Sequence, residues 1–291
     1  MNAKSTCESN TEKSHSDDFT QRVEQFLRSV QEAYAESWVS CAGCATSNEE
    51  GVIRGRARCI AGRVEDLFAE VLYDILKDHI KGLMVFVDLP LSYELNECDN
   101  KGKKLKGICY PDVVVAQRKV NQINVLYLVE LKVNLGWGRH KLAGEGMFKN
   151  EETGKKAWKE VTPIEEEITG KLKELIGVRV WSKIPFSMKS GQDFDEVIED
   201  DELQFVVAKD ARYDLIVCSS RNVPKYALQK ARERIGEDIN AVCQLYVLSE
   251  EELSLKYVDE TRQHETKCLL CSKDVSKWKR RINTLVEGGE N

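Results

Sequence analysis

The stretch Tyr110–Lys132, YPDVVVAQRKVNQINVLYLVELK, decides how the chain is read. Val113–Ala116 and Val125–Val129 are short β-branched and apolar runs, joined by a polar turn near Val120–Gln122. That pattern predicts a β-hairpin. Neither run alternates apolar with polar, so both faces of both strands should be covered. Pro111–Asp112 opens the first arm, and Glu130–Leu131–Lys132 ends the second. Side chains alternate along a strand, so Glu130 and Lys132 share a face while Leu131 points away. If the arms pair, Asp112 lies opposite that end. Two carboxylates and an ammonium then meet at one margin of an apolar sheet. Leaving such charges in an apolar setting is costly. A divalent cation offsets much of that cost. Mg²⁺ suits such oxygen ligands because it takes one or two carboxylates and completes its shell with waters and phosphate oxygens.

Outward from this segment, the periods predict an α/β domain with a central mixed sheet flanked by helices. Residues 1–17 are polar and without period and predict a disordered tail. Asp18 caps a helix with an apolar stripe from Phe19 to Tyr34, and Cys41–Gly55 reads as a loop. Val64 to Ile75 marks a second amphipathic helix, running to about Asp78. Leu83–Leu95 is β-rich with a bend at Pro90, and Asn96–Lys106 is a polar connection. Residues 136–162 give no clear assignment. Pro163 opens a helix to about Ile176 with Glu165, Glu166 and Glu167 in its first turn, as the helix dipole favours. Gln204–Ala208, Tyr213–Cys218 and Ala241–Leu248 read as strands, with a helix from Pro224 to about Ile235.

These residues resemble the PD-(D/E)xK nuclease superfamily, which includes many type II restriction endonucleases. The resemblance implies a core of helix, three strands, helix and strand, with the Asp on the second strand and the (D/E)xK on the third. Leu83–Leu95, Asp112–Ala116 and Val125–Lys132 would be those three strands. The first core helix of the family often supplies a Glu, and Glu65 holds a comparable place, ahead of Glu70. A bare (D/E)xK occurs three times, at Asp99–Lys101, Glu130–Lys132 and Glu265–Lys267, but only the middle one ends an apolar run. Pro111 is the one proline that precedes an Asp.

The implied activity is Mg²⁺-dependent hydrolysis of DNA phosphodiester bonds, with Mn²⁺ able to substitute, leaving 5′-phosphate ends. Asp112 and Glu130 would hold the metal, with Lys132 and Glu65 completing the catalytic set. A type II restriction endonuclease acting as a homodimer on double-stranded DNA is the specific expectation. A repair, recombination or anti-phage effector nuclease of the same fold stays open. So does a non-catalytic nucleic-acid-binding module that kept the fold. The core would span 61–250 with an insertion around 136–200. A helical extension (18–60) and a basic extension (251–291) would flank it.

The chain of 291 residues carries 43 basic and 49 acidic side chains, net −6, which on average repels nucleic acid. The charge is segregated, however. Arg54, Arg56, Arg58 and Arg63 fall in a stretch without acids that leads into the helix bearing Glu65. With Arg139, they are the candidate phosphate contacts. A second basic cluster is Lys273, Lys277, Lys279, Arg280 and Arg281, and Asp193–Glu202 holds seven acids and no base. Two CxxC pairs, Cys41–Cys44 and Cys268–Cys271, could together form one structural zinc site, although no spacing rule links them. No secretory leader and no apolar run of membrane-spanning length is seen, so a cytoplasmic location without a membrane partner is expected. GxSxG, P-loop, HExxH and GxGxxG patterns are all missing from the sequence.

Overall fold

The computed structural model describes residues 18–33, 58–98, 100–120, 122–134, 139–149, 154–183, 198–199, 202–220, 223–251, 253 and 270–288. They form three layers, helices on both faces of a mixed sheet. The elements are α1 (18–33), α2 (Arg58–Leu76), β1 (Leu83–Val87), β2 (Leu91–Cys98), β3 (Lys104–Cys109), β4 (Val113–Lys119), β5 (Gln122–Asn134), α3 (Arg139–Ala143), β6 (Glu145–Lys149), β7 (Lys156–Glu160), α4 (Ile164–Leu175), β8 (Val180–Lys183), β9 (Ile198–Glu199), β10 (Glu202–Ser219), α5 (Lys225–Ile235), β11 (Leu245–Ser249) and α6 (Ser272–Gly288).

The main sheet runs β1-β4-β5-β10-β8-β2-β3, with β9 and β11 also paired to β10. The β4–β5 hairpin forms as the apolar runs predict, antiparallel, with Val113 opposite Val129 and Lys119 opposite Gln122. A register shift between Val115 and Ala116 leaves an extra residue on β5. This bulge lets Leu126 and Tyr127 pack toward one face and Val125 and Leu128 toward the other. β10 runs parallel to both β5 and β11. Parallel neighbours need a crossover, and the segment between β5 and β10 contains α4.

Each face of the sheet has its own core. Val113, Val115, Tyr127, Val129, Leu131, Ile216 and Tyr246 pack with α1, α2 and α6. Val114, Ala116, Val125, Leu128, Leu215, Val217 and Val247 pack with α3, α4 and α5. Burial of apolar side chains on both faces explains why these strands read as continuous apolar runs. α1 belongs to the first core through Phe19, Val23, Phe26, Leu27 and Val30. α6 joins it through Val275, Trp278 and Ile282, and Trp278 stacks on Phe68 of α2.

Four sequence expectations change. Leu83–Leu95 is not one strand. β1 ends at Val87, where Asp88 takes a left-handed conformation (φ 49°), and the chain after Pro90 leaves for the other side of the sheet, where β2 pairs with β3 and β8. A local turn residue decided this, and periodicity does not show it. The polar connection is shorter than expected, because β2 reaches Cys98 and β3 starts at Lys104. Gln204–Ala208 and Tyr213–Cys218 are one strand, β10, whose register on β5 shifts between Val207 and Arg212. The last strand, β11, begins at Leu245 rather than Ala241. Residues 136–162, which gave no assignment, contain α3 and a separate two-stranded ribbon, β6–β7.

Candidate functional site

Antiparallel pairing brings the two ends of the hairpin together. The ladder closes at Val113 opposite Val129, so Asp112 precedes β4 at the level where Glu130 continues β5. The Asp112 carboxylate accepts the backbone N–H of Leu131. The same oxygen, Oδ2, lies 3.5 Å from Lys132 Nζ, and Lys132 Nζ lies 2.8 Å from Glu130 Oε1. Lys132 therefore bridges both carboxylates. Leu131 faces away, into the core beneath α2. The three polar side chains are partly buried, at 21% exposure for Asp112, 18% for Glu130 and 33% for Lys132. They are reachable from solvent yet sit beside a dry core.

Glu130 has a second partner. Tyr213 on β10 donates its hydroxyl to Glu130 Oε2 at 3.1 Å. Parallel pairing places Leu215 opposite Glu130 and Tyr213 opposite Leu128, one step along the same face. Burial and the nearby Glu130 charge raise the Tyr213 hydroxyl far above its usual range, so it stays a hydrogen-bond donor. The Glu130 carboxylate is held at both oxygens, by an amine and a phenol.

Glu65, on the first turns of α2, feels this cluster electrostatically. Burial first, then the charges of Asp112 and Asp88, raise its carboxyl to about 7. Asp112 is itself raised, chiefly by burial, with Glu130 adding repulsion against the pull of Lys132. For Lys132, burial favours the neutral amine, but Glu130 and Asp112 more than offset this and raise it. Lys132 therefore stays charged, while burial works against ionisation of Glu65 and Asp112.

Asp88 is one residue that sequence reading missed. β1 pairs antiparallel with β4, Val87 opposite Val113, so Asp88 lies beside Asp112. Its N–H donates to the Asp112 carbonyl at 3.0 Å. The available signal was an acid placed directly after the apolar run Leu83–Val87, as Glu130 is placed after Val125–Val129. Tyr213 was also missed, since a tyrosine opening an apolar strand looks like core. Counting Glu65, Asp88, Asp112 and Glu130 against Lys132, the margin carries four acids and one base.

Among the described residues no group of three or more His, Cys, Asp or Glu is spaced to hold a metal ion. The donor set does fit Mg²⁺ in its common mode, two carboxylates with the remaining positions left to water and phosphate. The oxygens are hard, and burial, reinforced by neighbouring carboxylates, raises both Glu65 and Asp112.

The other expected residues are described only in part. Arg54, Arg56, Cys41, Cys44 and Cys268 lie outside the described residues, so the arginine stretch and the four-cysteine zinc site are seen only in part. Arg58 is the first residue of α2, and Arg139 the first of α3. Arg63 lines a groove between α2 and β1 together with Asp66 and Glu70. Cys271 is a free thiol whose N–H bonds to Leu248 O. Of the C-terminal basic cluster, Arg281 is fully buried against Asp214. Among the described residues no helix is long and apolar enough to cross a membrane. No family model matches the chain, no curated protein matches it and no solved structure matches it.

Proposed function

We propose that the chain is a Mg²⁺-dependent DNA endonuclease of the PD-(D/E)xK kind, with cleavage at a specific duplex sequence, as by a type II restriction endonuclease, as its specific form. One observation carries the reading: Asp112, Glu130 and Lys132, separated by up to twenty positions in the chain, share a single hydrogen-bonded cluster at a sheet margin. The order of elements supports it. α2, β1, β4, β5, α4 and β10 follow one another as helix, three antiparallel strands, helix and a parallel strand, with the β2–β3 and β6–β7 hairpins as insertions. A salt-bridged hairpin of purely structural purpose needs only one acid per lysine. Here the acids are in excess, and one of them, Glu65, is pushed toward neutrality.

In this reading Asp112 and Glu130 would hold the metal. When bound, Mg²⁺ supplies a polarising charge at the scissile phosphate and lowers the pKa of a water. Lys132 stays protonated at neutral pH and places its ammonium where charge grows on the phosphate in the transition state. Tyr213 fixes the Glu130 carboxylate so that its position is not lost when the phosphate enters. The Leu131 N–H does the same for Asp112.

The test is incubation of the purified chain with plasmid DNA, with Mg²⁺, with Mn²⁺ and with chelator. Metal-dependent strand breakage is expected, and it should vanish in Asp112→Ala and in Lys132→Ala. Full cleavage by both variants would remove the assignment. Discrete fragments support sequence-specific cutting, and a smear supports an effector or repair nuclease. Calorimetry that finds no divalent-cation binding, with or without DNA, would favour a non-catalytic module.

A further inference from the structure

The β6–β7 ribbon is built unlike the rest of the molecule. Its second strand, β7, is exposed at every position, so neither face of that strand is buried. A two-stranded ribbon alone is marginal in water. This one is held at its base: Lys230 of α5 pairs with Glu145, Val161 N–H bonds to Gly144 O, and Arg234 donates to the carbonyls of Leu142 and Ala143. Beyond the base, the ribbon carries Met147 directly opposite Trp158. Trp158 is 63% exposed and Met147 is 53% exposed. Trp158 is flanked in sequence by Lys156 and Lys159, both exposed.

Trp158 and Met147 leave an apolar pair exposed across both strands of the anchored ribbon. We propose that the ribbon is a nucleic-acid-binding arm, on which an unstacked base of the substrate strand lies against Trp158 while Lys156 and Lys159 meet adjacent phosphates. The inference rests on the nuclease reading and names how that substrate is gripped. Position along the chain supports it: β5 carries Glu130 and Lys132, and α3 and the ribbon are the next elements after it.

Chemistry also selects this occupant over a second copy of the chain. A stable protein interface buries about 1,600 Å² in total, whereas one tryptophan and one methionine offer at most about 250 Å² each. Base stacking needs only a single ring face and is worth about tenfold or more in affinity. The ribbon as a whole is not basic: Glu145 and Glu160 sit at its base, and Glu151 and Glu152 lie in the connection between its strands. Stacking is therefore the larger contribution, and the lysines set the position of the backbone.

The experiment is anisotropy of a fluorescein-labelled oligodeoxynucleotide, single-stranded and duplex, with the full chain in chelator so that no cleavage intervenes. Trp158→Ala is expected to weaken binding by about tenfold or more, with circular dichroism and thermal unfolding unchanged. Intrinsic fluorescence should be quenched by the oligonucleotide in the wild type, and much less in Trp158→Phe. Lys156→Ala with Lys159→Ala should lower the salt slope of binding by about 1–2. Wild-type affinity in Trp158→Ala, with metal-dependent cleavage intact, overturns the arm and leaves the nuclease reading standing. No binding and no cleavage by the wild type overturns both. Loss of a dimer in Trp158→Ala by sedimentation would make the occupant a second copy and overturn the proposal.

Discussion

Two acid–base groups lie on neighbouring strands and are built to opposite plans. At the sheet margin, Lys132 is shared between Asp112 and Glu130, all three partly open to water. Deeper in the same sheet, Asp214 of β10 sits opposite Val129 and meets Arg281 of α6, with both side chains at 0% exposure. There the guanidinium bonds both carboxylate oxygens and the carbonyls of Ile239 and Val242, and Gln244 N–H completes Asp214. The inner pair is one to one, with every bond supplied by the protein. It closes α6 onto β10 and has nothing left to offer a ligand. The outer group has more acid than base, and its side chains are partly open to water. A buried ion pair whose bonds are complete is structural, whereas an incomplete one at a surface marks a site.

Asp112→Ala or Lys132→Ala should lower metal-dependent cleavage by at least about 10²–10³-fold while urea unfolding changes little. A variant that unfolds instead would make the outer group structural. Arg281→Met should do the reverse. It leaves a buried carboxylate without its partner and costs about 3–5 kcal/mol in unfolding free energy. The double variant Asp214→Leu with Arg281→Met should recover much of that loss. If the single variant is as stable as the wild type, the inner pair does not hold α6.

Glu65 gives a smaller effect with a defined sign. Its folded carboxyl titrates near 7, against 4.5 when unfolded. Folding therefore favours its protonated form. The metal-free protein carries no cost from Glu65 below about pH 4.5, and the full cost above about pH 7. Solvent screening limits that cost to about 1–2 kcal/mol. Glu65→Gln should stabilise the metal-free chain by that amount at pH 8 and leave it unchanged at pH 4, read from denaturant midpoints. Equal effects at both pH values would detach Glu65 from the acidic margin. Smallest of all, Tyr213→Phe removes one hydrogen bond from Glu130, costing about 1 kcal/mol. It should slow cleavage several-fold without changing the metal requirement. No change in rate would mean that Glu130 is positioned by Lys132 alone.

Much of this contrast was legible before any coordinates. The Val113–Ala116 and Val125–Val129 runs, with a polar turn between them, leave one antiparallel pairing, and that pairing sends Asp112 to Glu130. Glu65 could be placed on the right helix, since the stripe from Val64 to Ile75 orients α2. The misses share a cause. Asp88 was hidden because Leu83–Leu95 read as one strand, and only its left-handed turn brings Asp88 beside Asp112. Arg281 falls in the second basic cluster of the sequence, and nothing in that lysine-rich stretch signals that it is fully buried. The exposed ribbon gave no period at all, because neither face of β7 packs against a core.

Sequence alone determined local facts: that Val113–Ala116 and Val125–Val129 pair as a hairpin, that Val64 to Ile75 is helical, and that one acid-x-lysine follows an apolar run. These follow from side-chain volume, backbone preference and alternation, which act within a few residues. Tertiary structure alone decided which charges are sealed and which stay open. Burial and neighbouring charge depend on residues far away in the chain, and desolvation sets whether a carboxylate becomes a clamp for a helix or a ligand-ready oxygen.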